Sequence, residues 1–270
     1  MNAPPYFSVL TTLSNIGFGA VEGELWRLLF VMTRIGAALL AAPFFSAAAV
    51  PVQLRVGITG AIGVMVITWL PVEVPPALLS AGGIVVLLAE VLVGLTLGFV
   101  LQLAFAAPVL AAEQIGGAMG MSIATAADPV SGAHSPALGQ YFTVLLTVIF
   151  LGLGGHLLWL ELVIESYTAF PPGAAWLSPD HLHTVVGFGS DMFVAAIAIA
   201  LPVTLVLLLV QMAAGVLSRS APSLNLFSLG LPAGVLAGMA ALIAVAPLLT
   251  DQFTDLSTQM IEQAASLLQR

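Results

Sequence analysis

The side chains able to do chemistry are few enough in this chain to be weighed singly. His181 and His183 form an H-x-H pair beside Asp180, a spacing that can hold a metal ion, but the pair falls in a Pro-rich polar stretch that reads as a surface loop. His156 follows Gly152, Gly154 and Gly155 within an apolar run. A neutral imidazole there can hydrogen-bond across helices or relay a proton, and structural use is the expectation. Glu161 and Glu165 lie one helical turn apart just before a loop and read as a wet boundary. Glu90 interrupts a long apolar segment, where a carboxylate is costly enough to be turned toward protein or water and to merit a functional hypothesis. H-E-x-x-H, G-x-x-x-x-G-K-[ST] and G-x-S-x-G are all missing, so zinc peptidase, nucleotide-driven motor and serine hydrolase lack their starting residues. Cys is absent, which removes thiolate metal sites and disulfides. No catalytic, cofactor-binding or metal-binding residue is assigned, and an enzyme is not expected.

The most unusual stretch runs from Glu113 to Pro136, E-Q-I-G-G-A-M-G-M-S-I-A-T-A-A-D-P-V-S-G-A-H-S-P. Gly116, Gly117 and Gly120 loosen the backbone while Ile115, Met119, Met121 and Ile123 keep it apolar. Non-helical backbone at membrane depth must be buried in protein or line a cavity, so a pore-lining or pore-blocking loop is one reading. Flexible thioethers suit a seal that deforms and recloses. A kinked helix with a Gly-rich packing face is the other reading, and composition does not separate them.

The elements that must carry these residues are set by solvent. Charged residues make up 7% of the chain against roughly 25% in soluble domains, and mean hydropathy is +1.13. Residues 35–54, 91–112, 129–160, 192–218 and 220–250 contain no charge at all, and about 20 apolar residues let a helix cross the hydrocarbon core. These runs lack the alternation of barrel strands, so the reading is an all-α, integral membrane-type protein of about six or seven apolar segments. A single domain, 1–270, is expected, with apolar segments over about 24–250. Over 251–270, Phe253, Leu256, Met260, Ile261, Ala264 and Leu267 recur at three- and four-residue steps, the mark of an amphipathic helix that packs on a partner surface or lies at the interface. The 13 Asp and Glu against five Arg argue against a nucleic-acid partner. The first basic residue is Arg27, so a cleavable leader is not expected, and five Arg are too few to set orientation.

Pro and Gly punctuate the segments. Pro71, Pro75 and Pro76 close the second, Asp128-Pro129 and Ser135-Pro136 bracket a polar loop, and Phe170-Pro171-Pro172-Gly173 opens another running to about His183. Pro43, Pro51, Pro108, Pro202, Pro232 and Pro247 imply kinks or breaks. Gly94 with Gly98, and Gly230, Gly234 and Gly238, are spaced four apart and offer smooth faces for close helix approach.

Several stretches taken in order carry a resemblance. They are Glu113 through Pro129, then Phe150-Leu-Gly-Leu-Gly-Gly-His156 with Ser166 to Pro171, then Leu201-Pro202, then Arg219-Ser-Ala-Pro222-Ser-Leu-Asn225-Leu-Phe227. With Pro43, Val50-Pro51, Arg55 and Pro247, this ordered set resembles the FliR family of flagellar biosynthetic proteins and its injectisome counterparts in type III secretion. The resemblance implies broken helical hairpins in a multi-subunit export gate of the bacterial inner membrane and flagellar basal body. FliP-like and FliQ-like subunits and an FlhB-like export protein would be its partners, and unfolded flagellar subunits its cargo. It implies that the loop from Glu113 to about Ile123 plugs the channel, through Glu113, Ile115, Gly116, Gly117, Met119, Gly120 and Met121. Relatives often carry bulkier or polar residues where this chain has Gly117-Ala118. Glu90, Asp128, His156, Arg219 and Asn225 are candidate structural polar residues. The competing reading from the residues alone is a proton-coupled secondary transporter for a small solute, with Glu90, Glu161 and His156 as coupling groups.

Overall fold

The computed structural model describes residues 18–46, 50–75, 78, 80–121, 136–174, 179–220 and 226–268. Among these the backbone is helical with connecting turns and no strand, so its polar groups are satisfied within each segment, as a membrane-type chain requires. The helices are α1 (Phe18–Ala41), α2 (Pro43–Ser46), α3 (Val52–Trp69), α4 (Ala81–Ala118), α5 (Pro136–Gly152), α6 (Gly155–Ala169), α7 (Pro179–Ser220) and α8 (Leu226–Ser266). Four stretches among the described residues are long and apolar enough to span a membrane: Val52–Trp69, Ala81–Ala118, His181–Leu217 and Pro232–Ser266. The α5–α6 pair makes a fifth if its two halves, bent by 70°, count as one. The chain is an all-α membrane protein. The count falls below six or seven because α1 carries Glu22, Glu24, Arg27 and Arg34, and because the third apolar segment is one helix that runs through Pro108.

Pro acts differently at different places. Pro43 opens α2 and Pro51 caps α3, whereas Pro108, Pro202, Pro232 and Pro247 lie inside continuous helices. The break that does interrupt an expected segment, at Leu153-Gly154, comes from glycine. Gly154 takes φ +74°, and the ring of Phe150 occupies the space where a Cβ on Gly155 would stand. The loop expected to reach His183 is also shorter, because α7 begins at Pro179 and takes in both His181 and His183. The 251–266 stretch is the end of α8 and not a separate helix.

The chain, expected as one domain, gathers its contacts into two compact units. The first comprises 1–99, 161–178 and 268–270; the second comprises 100–160 and 179–267. In the first, α1 presents Phe30, Val31, Arg34, Ile35 and Ala38 as a buried stripe. Gly94 and Gly98 of α4 press on the α1 backbone so closely that a Cβ on either would overlap the carbonyl of Arg34 or Ala38. The expectation of a smooth glycine face holds there. Gly63 of α3 meets Leu28 and Met32 of α1, a Cβ there lying 3.0 and 3.3 Å from them.

In the second unit, Phe142, Leu146 and Phe150 line one face of α5. Phe150 meets Phe105 edge-on at 5.9 Å and Phe142 meets Phe253 edge-on at 5.5 Å. Phe253, Leu256, Met260, Ala264 and Leu267 are all buried, so the amphipathic stripe near the C-terminus packs within the protein.

Candidate functional site

The Gly- and Met-bearing segment is the end of a helix before it is anything else. Residues Glu113–Ala118 continue α4, which corrects the expectation of a loop beginning at Glu113. The helix stops at Gly120, whose φ of +85° is the left-handed conformation that ends helices and that glycine adopts without strain. Residues 122–135, including Ile123 and Asp128, lie outside the described residues. The segment has two sides. Ile115 and Met119 are buried, while Glu113, Gln114 and Gly117 are exposed. Glu113 and Gln114 border a 330 Å³ groove with Leu110 and with Phe193, Ala196 and Ile197 of α7.

Two contacts hold this end of α4. Ala118 is the last residue of α4, and Gln211 Nε2 of α7 donates to its carbonyl at 2.6 Å. The Met119 side chain lies against α8 where Gly234 and Gly238 leave room. A Cβ on Gly234 would stand 3.0 Å from the Met119 carbonyl oxygen, and one on Gly238 would stand 2.7 Å from Met119 Cγ.

The first unit contains a second polar centre built around Arg34. Its Nε and Nη2 donate to Glu90 Oε2 and Oε1, both at 2.8 Å, in a two-pronged pair. Nη1 donates to the Ser166 carbonyl at 2.7 Å and to Ser166 Oγ at 3.1 Å, and Nη2 donates to the Phe170 carbonyl at 2.8 Å. All five guanidinium N–H groups thus have acceptors. The guanidinium carbon sits 4.2 Å over the Tyr167 ring, and Tyr167 Oη donates to the Val31 carbonyl at 2.7 Å. Arg34 and Glu90 are both 1% exposed. A buried pair of this kind offsets its desolvation cost only when geometry is good and the remaining hydrogen-bonding capacity is used, and both conditions are met. Sequence reasoning singled out Glu90 but missed Arg34, Ser166 and Tyr167. The signal was present: Arg34 is the lone charge between Arg27 and Arg55, and Glu90 the lone charge between Glu73 and Glu113. Two isolated opposite charges in apolar helices are expected to meet.

The other candidates scatter. His156 is half-buried and its Nδ1 has no hydrogen-bond partner among the described residues. Arg219 is exposed near the end of α7, and Asn225 lies outside the described residues, between the end of α7 at Ser220 and the start of α8 at Leu226. Glu161 and Glu165 are exposed. No group of three or more metal-ligating side chains occurs among the described residues.

Residues 25–260 match the family of bacterial export proteins, family 1. The chain is 31% identical to the flagellar biosynthetic protein FliR of Pectobacterium carotovorum subsp. carotovorum, over 87% of this chain and 90% of that protein. It is 30% identical to FliR of Escherichia coli (strain K12), over 90% and 91%. With FliR of Bacillus subtilis (strain 168) it shares 31% identity, over 76% and 80%. A match this long, on an apolar all-helical chain, means that the protein belongs to bacterial export proteins, family 1, the family of the flagellar biosynthetic proteins FliR.

Proposed function

We propose that this membrane protein, a component of a flagellar export apparatus, is a structural, channel-forming subunit of the type III export gate. It passes unfolded flagellar subunits across the bacterial inner membrane at the flagellar basal body and performs no catalysis itself. FliP-like and FliQ-like subunits and an FlhB-like export protein are its partners in this reading. The observation that carries it is the family match over residues 25–260. Large apolar side chains exposed along α3, α7 and α8, among them Val56, Leu209 and Ile243, suit a chain that assembles with others.

Residues 113–121 form the base of the channel plug in this proposal, with Glu113, Gln114 and Gly117 on the side open to a passage. Deleting Gly116–Gly120 tests it: secretion persists or changes modestly while ion leakage rises, and an unchanged leak rejects the plug. Proton coupling through Glu90, which the small-solute transporter reading invokes, fares poorly, because both its oxygens are committed to Arg34. Purification in mild detergent separates the two readings. The gate reading expects the chain to co-purify with other export proteins, and a stable monomer that moves a small solute in liposomes would overturn it.

A further inference from the structure

The residues assigned to the plug divide into those that face outward and those that are held, and the held side has a construction of its own. We infer that Gln211, Gly234 and Gly238 form a latch that fixes the end of α4 through the Ala118 carbonyl and the Met119 side chain, and so sets the resting position of residues 113–121. The inference rests on the plug reading and concerns its regulation. The first half of the latch is directional. Gln211 reaches across from α7 and donates to the carbonyl of the last α4 residue, Ala118, at 2.6 Å. The second half is steric. Met119 is 4% exposed, and it fits against α8 only because two successive turns of that helix lack side chains. Gly120, at φ +85°, ends the helix immediately beyond the seat and lets the backbone leave at an angle other residues resist.

The two glycines play separable parts. At Gly234 the obstructed atom is the Met119 carbonyl oxygen, 3.0 Å from a new Cβ, so a side chain there pushes on backbone. At Gly238 the obstructed atoms are those of the Met119 side chain, which can swing away and leave the backbone in place. Releasing the latch breaks one hydrogen bond and swings one flexible side chain, and neither step requires α4 to unfold. Met119 therefore acts as an anchor of the plug rather than as part of its sealing surface.

The test uses the assembled export complex in cells and two readouts. Because the chain has no cysteine, Met119→Cys provides a unique thiol whose maleimide labelling reports whether the seat is open. Adding Gln211→Leu removes the donor, and losing one hydrogen bond raises the open population, and with it the labelling rate, about fivefold. Gly238→Val, in a chain retaining Met119, raises ion leakage while secretion continues, and Gly187→Ala on α7, outside the plug and where a Cβ meets nothing within 4 Å, leaves the leak at the parental level. In the Gly116–Gly120 deletion background neither Gln211→Leu nor Gly238→Val adds further leak. If the deletion leaks but Gln211→Leu and Gly238→Val do not, the latch is wrong and the plug stands. If the deletion itself does not leak, the plug reading fails and the latch is judged on labelling alone, where a Met119→Cys thiol that labels no faster upon Gln211→Leu overturns it.

Discussion

Arg34 shows how much one side chain can organise when water is absent. Its five donors reach acceptors on α4, α6 and the turn after α6, so removing it strands the Glu90 carboxylate and the Ser166 and Phe170 carbonyls together. Leaving one member of a buried pair uncompensated costs about 3–5 kcal/mol, whereas replacing both by apolar groups of similar volume is often neutral. Arg34→Leu and Glu90→Leu should therefore each sharply lower the thermal midpoint of the detergent-solubilised complex, and Arg34→Leu/Glu90→Leu should regain most of the loss. A double variant no better than the weaker single would refute the pairing as the source of the effect. Tyr167 belongs to the same centre, since its ring covers the guanidinium while its hydroxyl is held by Val31.

Helices were legible in the sequence where a pattern repeats, and illegible where a distant side chain compensates for a local defect. The 253–267 stripe was readable because its apolar residues recur at helical spacing, and all but Ile261 are buried. The Gly94–Gly98 face was readable for the same reason. The continuity of α7 through Pro202 was not. Proline has no N–H, so the Ala198 carbonyl four residues earlier loses its helical partner, and Gln252 Nε2 of α8 supplies the missing donor at 3.2 Å. No local window contains both residues. The choice between loop and helix at Glu113 was open in the sequence for a similar reason, because Gln211 and the α8 glycines hold that turn from far along the chain. Compensation of this kind should appear as an interaction between two substitutions. Gln252→Leu should destabilise by about 1 kcal/mol, the net worth of a hydrogen bond, read as a lower thermal midpoint. Pro202→Ala restores an N–H for Ala198, so adding it to Gln252→Leu should recover that loss. Failure to recover it would mean that the Gln252 contact is incidental to the helix passing Pro202.

At the scale of the molecule, hydropathy identifies surface that avoids water without saying whether lipid or protein covers it. The described chain exposes Val56 at 55%, Leu209 at 62% and Ile243 at 74%, on three different helices. Lipid and a partner helix are equally apolar, so hydropathy alone does not distinguish them. Small residues and interior prolines favour the protein-covered alternative, since they give smooth or irregular faces that pack better than they span. Assembly separates the two cases, because lipid is present whether or not partners are made. Val56, Leu209 and Ile243 can each be followed by mass spectrometry after labelling with a carbene-generating reagent that partitions into the bilayer and inserts into C–H bonds without needing an ionised group. All three should react in cells making this chain alone. When the full set of export proteins is made, most of that reactivity should disappear, because burial in a protein interface blocks the probe and a bilayer does not. Equal labelling in both strains would assign these faces to lipid and would remove the main physical support for a chain built to be enclosed by other subunits.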